Sequence, residues 1–148
     1  MGIRRKSREL VIQTLYALSY AETDEYLLHL DYVNKYPDIL KDLALENEIA
    51  STDSIYHHAE KSLKALLPRI DELDQMINKH IVDYHLEKIG LLDLIILRLA
   101  VYEMLFEGTP PQVIINEAVE ICKKFCAEKS PSMINAILDL IKEKELAN

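Results

Sequence analysis

Apolar residues return every three or four positions along almost the whole chain, and no stretch alternates convincingly as a half-buried strand does. Val11, Leu15 and Leu18, with Ile12 on their edge, form one stripe and predict a first helix over about residues 5–21. The polar run AETDEY breaks that pattern. In the acidic region that follows, the spacing predicts one or two short helices, about 25–35 and 37–49, interrupted at Pro37. Ser51-Thr52-Asp53-Ser54 reads as a loop and helix cap, and the helix it starts ends near Leu67-Pro68. Pro68 opens the next helix, about 69–84. Gly90 precedes the most apolar helix, about 91–107, and Gly108 terminates it. Thr109-Pro110-Pro111-Gln112 offers a Thr cap, Pro at the first helical position and Gln at the third. Ser130-Pro131 repeats the cap-plus-Pro pattern before SMINAILDLIKEKEL. The expectation is an all-α bundle of about seven helices with short connections, in a single compact domain spanning 1–148.

Composition narrows the chemistry. Only three Gly occur, none in GxGxxG or GxxxxGK, which argues against a Rossmann or P-loop nucleotide site, and there is no GxSxG elbow. The five His contain no HExxH and no i,i+4 pair. Cys122 and Cys126 share a helix face at i,i+4, but two thiolates are half of a zinc site, so packing is the preferred reading. No metal, cofactor or enzymatic activity is expected. The longest apolar stretch, GLLDLIILRLAVYEMLF, carries Asp93, Arg98 and Glu103 and does not read as a membrane span. The N-terminus lacks the apolar region of a signal peptide, and with two Cys the cytoplasm is the expected compartment. A formal net charge of −8 argues against non-specific nucleic-acid binding by the whole surface. Any such binding needs a local basic patch, and the acidity suits a basic protein partner.

The first helix supplies such a patch. Arg4, Arg5, Lys6 and Arg8 crowd its first turns, where each cation costs about 0.3–1 kcal/mol against the helix dipole. Opposite the apolar stripe lie Arg5, Lys6, Glu9, Gln13, Tyr16 and Tyr20. Cations hold phosphates, amides read base edges and rings stack on bases, so this strip carries the parts of a single-stranded RNA site. The alternative is a solvated face with Arg5 and Glu9 paired at i,i+4. Arg8 lines up with the apolar stripe and reads either as an internal ion-pair residue or as a phosphate contact.

A second charge stands out in the most apolar helix. Its polar sector holds only Asp93, Glu103 and Glu107, while Arg98 projects from the other side among Leu94, Val101, Tyr102 and Leu105. A buried guanidinium needs a carboxylate. Neither Asp93 nor Glu103 is at i,i+3 or i,i+4, so Glu117, bordering the Ile114/Ala118/Ile121/Phe125 stripe, is the expected partner. No nucleophile or base accompanies Arg98, and its expected role is structural.

Three segments together resemble the NusB family of bacterial transcription antitermination factors. RRKSRELVIQTLY resembles the family's arginine-rich start, with its Arg-Glu and Gln-x-x-Tyr. ILRLAVYEML resembles the central Leu-Arg-x-Ala-x-Tyr-Glu pattern. PPQVIINEAVEICKKFCAEKSPSMINAILD resembles the run with Ile-Asn-Glu-Ala, Lys-x-Phe and a Ser before Val/Ile-Asn. The resemblance covers nearly the full chain, although about 24–85 carries no signature. Cys126 and Ala136 stand where the family usually has Gly, Lys129 where an acid is common, and Ser130-Pro131-Ser132-Met133 replaces Ser-His-Lys-Phe.

The resemblance implies a fold of two helical sub-bundles. It also implies binding of the boxA element of nascent ribosomal RNA, a single strand, together with the ribosomal protein NusE within an RNA polymerase antitermination complex. On matching positions, it implies an RNA surface of Arg4, Arg5, Lys6, Arg8, Gln13 and Tyr16, with Phe125, Lys129 and Met133 as a second RNA-lining element. Asp93 falls where the family presents an acid to NusE. Self-association as a homodimer is left open. A second reading is a protein-interaction module on the same fold with reduced or non-selective RNA binding. NusB-like domains also precede an RNA methyltransferase in longer proteins, a reading ranked last because the chain ends at Asn148.

Overall fold

The computed structural model describes residues 2–21, 31–81 and 89–146. Among them every regular element is helical: α1 (Ile3–Ala21), α2 (Tyr32–Glu46), α3 (Ser54–Leu66), α4 (Ile70–His80), α5 (Leu91–Tyr102), α6 (Pro111–Phe125) and α7 (Ser130–Ile141). Most of the expected break after α1 and of the expected helix at 25–35, and the end of the one at 69–84, lie outside the described residues. The chain forms two compact units, Met1–Ile70 and Asp71–Asn148.

In the first unit α1 packs against both α2 and α3. Val11, Leu15 and Leu18 are buried as their spacing predicts, but Leu10 and Thr14 are buried too, because two neighbouring helices cover a wider arc than one stripe. Thr14 fits there by turning its hydroxyl back to the Leu10 carbonyl, 2.8 Å. Along α2 the buried residues are Tyr32, Tyr36, Leu40 and Ala44, four apart. Pro37 lies inside this helix and does not interrupt it. It sits close to the N-terminus, where the carbonyl it displaces belongs to the first turn. The missing bond and clash cost about 3 kcal/mol, against about 1.5–3 kcal/mol for each large side chain buried. Asp53, within the loop read as a cap, caps α3 by accepting from the Ile55 N–H, 2.8 Å.

α2 ends in a Schellman turn. The Ile49 N–H donates to the Ala44 carbonyl at 2.8 Å and the Glu48 N–H to that of Leu45 at 3.1 Å. Glu48 occupies the left-handed position at φ 58°.

In the second unit α5, α6 and α7 pack on one another. Every residue of α5 from Ile95 to Tyr102 is buried. Arg98 is among them, 6% exposed. Its forked carboxylate partner is Asp74 on α4, and not the expected Glu117: Nε donates to Oδ1 at 2.7 Å and the terminal nitrogen to Oδ2 at 2.8 Å. Asp74 borders the buried stripe Ile70, Leu73 and Ile77, which turns it toward the core.

The start of α6 differs from expectation. Pro110 occupies the cap position and Pro111 the first turn. Thr109 instead closes the preceding element, its N–H donating to the Glu103 carbonyl (3.1 Å) and its hydroxyl to the Glu103 carboxylate (3.3 Å). Between them α5 runs through a wider turn, Glu103–Glu107, and stops at Gly108, whose φ of 70° suits glycine. Ser130 likewise does not cap α7, because its hydroxyl donates to the Asp93 carboxylate at 3.1 Å.

Candidate nucleic-acid interface

The first turn of α1 holds no acid that would complement the dipole, and the only carboxylate in the helix is Glu9. Arg4 and Lys6 are exposed, Arg5 and Gln13 half-buried, and Tyr16 39% exposed. Lys6, Gln13 and Tyr16 follow one another along the side of α1 away from Val11, Leu15 and Leu18, about two turns and then about one turn apart. The side chain of Tyr20 lies outside the described residues.

Arg8 and Glu9 both turn inward. Arg8 is 8% exposed and lies on the core side of α1 with the apolar stripe, so its guanidinium is not presented with those of Arg4 and Arg5. Glu9, expected among the outward residues, is buried at 7%. Arg8 thus lies where its alignment with the apolar stripe put it, whereas Glu9 departs because α1 buries a broader arc than periodicity suggests.

The amide of Gln13 is held in place. Asn47 donates its Nδ2 to Gln13 Oε1 at 3.0 Å and to the Leu43 carbonyl at 2.7 Å. Asn47 is the last residue before the left-handed Glu48, so the Schellman turn of α2 orients it. With Oε1 accepting, Gln13 presents its NH₂ edge as the donor side. Sequence reading missed Asn47, and only its place at the foot of α2 could have signalled it.

The second RNA-lining element implied by the resemblance belongs to the second unit. Phe125 closes α6 half-buried, Lys129 is exposed just before α7, and Met133 is half-buried in the first turns of α7. The Lys124 ammonium lies 5.2 Å from the centre of the Phe125 ring, a cation–π contact. Cys126, where the resemblance implies Gly, takes φ −112° and ψ 175°. That is extended backbone open to any residue, so the replacement leaves the turn unstrained.

Asp93, the acid expected to face a protein partner, sits in the first turn of α5 and is half-buried. Its Oδ2 accepts from Ser130. Among the described residues, Asp93, Cys122 and Cys126 are the metal-ligating side chains whose donor atoms come together, all within 4.8 Å. No helix among the described residues is long and apolar enough to cross a membrane.

The sequence profile of the NusB family matches residues 5–143. The transcription antitermination protein NusB of a Nitratiruptor species is 34% identical over 149 residues, covering 100% of this chain and 96% of the relative. Among solved structures, T. maritima NusB superimposes with a TM-score of 0.78 at 26% identity, covering 95% of this chain and 91% of that one. A crystal structure of antitermination factors NusB and NusE in complex with dsRNA gives a TM-score of 0.79, with 97% and 98% of the two chains covered. Identity there is 23%, so that likeness is one of fold.

Proposed function

Because the chain belongs to the NusB family, matched from residue 5 to residue 143, we propose that it is a non-enzymatic transcription antitermination factor that binds RNA through α1. The observation that carries the reading is the strip of Lys6, Gln13 and Tyr16, flanked by Arg4 and Arg5, on a chain of net charge −8. Cations this close to a helix N-terminus lower stability, and an anionic ligand offsets that cost. The strand is a boxA-type element of nascent ribosomal RNA, bound in the cytoplasm together with NusE. A basic ribosomal protein suits the acidic body. Within the RNA surface, Arg4, Arg5 and Lys6 hold phosphates, Gln13 donates to a base edge and Tyr16 stacks. Phe125, Lys129 and Met133 add a second contact area. Arg8 is set aside as a direct contact because it is buried.

Titration of the strand at several salt concentrations tests this. Three cations on three phosphates give a slope of log K against log salt near about −2 for a single strand. Replacing Arg4, Arg5 and Lys6 with Ala is expected to flatten that slope while leaving the circular dichroism helical. Tyr16→Ala is expected to lose about 1–3 kcal/mol of binding, and Tyr16→Phe to keep most of it. Affinity indifferent to both salt and these substitutions removes RNA from the account.

A second reading is favoured by one observation. Pro131, Ser132 and Met133 stand where the resemblance implies His, Lys and Phe, so this segment offers neither a cation nor an aromatic ring. On that reading the chain is a protein-interaction module with weakened selectivity. Equal affinity for boxA and scrambled RNA, with NusE present, would favour it.

A further inference from the structure

We infer that Asp93, Cys122 and Cys126 form a binding site for one soft divalent metal ion, Zn²⁺ foremost. Cys122 lies in the last turn of α6 and Cys126 caps that helix, its N–H donating to the Cys122 carbonyl at 2.8 Å, which keeps the two thiols close. α5 packs on α6 and delivers Asp93 from its first turn, bringing three donor atoms within 4.8 Å of one another. In a tetrahedral zinc site with Zn–S near about 2.3 Å, sulfurs lie roughly 3.8 Å apart. Closing the difference takes about 1 Å of movement at side-chain ends.

Two features mark the cluster as more than packing. Asp93 Oδ1 is buried without a hydrogen-bond partner. A buried carboxylate oxygen left unmet is costly, and a cation meets it directly. The other oxygen, Oδ2, accepts from Ser130, the kind of outer contact that orients a carboxylate ligand. Thiolates with a carboxylate, and water in the fourth position, are a donor set for Zn²⁺ rather than for Mg²⁺ or Ca²⁺.

The electrostatics of the metal-free cluster are consistent with this. Burial pushes the Cys126 thiol up, and the Asp93 carboxylate and Cys122 beside it push it further. Burial likewise raises Cys122. Binding forms two metal–sulfur bonds and one metal–oxygen bond, displaces water from the ion and releases the two thiol protons to solvent, with no change of oxidation state.

The test uses the full chain, reduced and stripped with chelator, titrated with Co²⁺ as a spectroscopic probe and then with Zn²⁺ as competitor. One Co²⁺ per chain is expected, with thiolate-to-cobalt charge transfer and the visible bands of a tetrahedral site, displaced by equimolar Zn²⁺. Cys126→Ser and Asp93→Asn, both at half-buried positions, are expected to weaken binding more than about hundredfold, and Ser130→Ala about tenfold. Absence of charge transfer in the unsubstituted protein overturns the inference whatever the variants do. So does binding that Cys126→Ser and Asp93→Asn leave unchanged. The readout is independent of RNA, so failure of the RNA reading leaves it standing.

Discussion

Arg98 is screened from water, and both oxygens of Asp74 meet its charge through two short parallel bonds. Removing one partner leaves an ion in the core with nothing to offset its lost hydration. Asp74→Ala is therefore expected to destabilise the protein by about 3–5 kcal/mol in urea denaturation. Replacing both residues together, Arg98→Met with Asp74→Leu, is expected to recover most of that loss, because two well-packed apolar groups avoid the desolvation cost. The burial of Arg98 was legible from the sequence, since the helix around it is apolar on that side. Its partner was not. Asp74 stands 24 residues earlier on a helix where it borders the buried stripe, just as Glu117 borders that of α6. Periodicity ranks both alike, and only packing chooses. The same limit applies at Asp93, whose closeness to Cys122 and Cys126 depends on how α5 lies on α6.

Helix ends show where local chemistry is decisive and where it is overruled. The C-terminal turn of α2 is closed by two backbone hydrogen bonds even though Glu48, and not Gly, takes the left-handed position. That backbone conformation costs a side-chain-bearing residue about 1–2 kcal/mol. Glu48→Gly is expected to raise stability by up to about 1 kcal/mol after the added freedom of the unfolded chain is subtracted, measured as a shift of the denaturation midpoint at unchanged m-value. The turn following α7, Lys142–Leu146, is tied back by charge: Glu145 accepts from His80 and lies 3.3 Å from the Lys79 ammonium. The hydrogen bond from His80 holds the Glu145 carboxyl below its usual range, with Lys79 adding to it. A depressed carboxyl contributes above its unfolded value and stops contributing as pH falls through the folded one. The anchorage of this turn is thus expected to fail only in acid below the ordinary glutamate range, read by NMR titration of Glu145. Element positions were largely legible, as Asp53, Pro111 and Gly108 each stand at or beside a boundary. Pro37 misled because a single breaker competes with four buried contacts along α2, and Thr109 and Ser130 misled because each found a partner elsewhere.

On the proposed reading, acidity and a basic strip divide the work of association. A net charge of −8 repels polyanions in general, so a strand bound at α1 would be gripped by local contacts and not by the average field. The basic run itself was readable from residue order alone, because four of the 17 cations lie within the first eight residues. What order could not supply was the fate of each one: Arg4 and Lys6 face water, whereas Arg8 is folded inward. The first turn of α1, cationic and without a compensating acid, also gives dissolved electrolyte two opposing roles. In the unliganded protein, mobile ions ease the crowding of like charges against the positive end of the coil and so firm up the fold. Once a strand is seated, the same ions compete for its phosphates and loosen the complex.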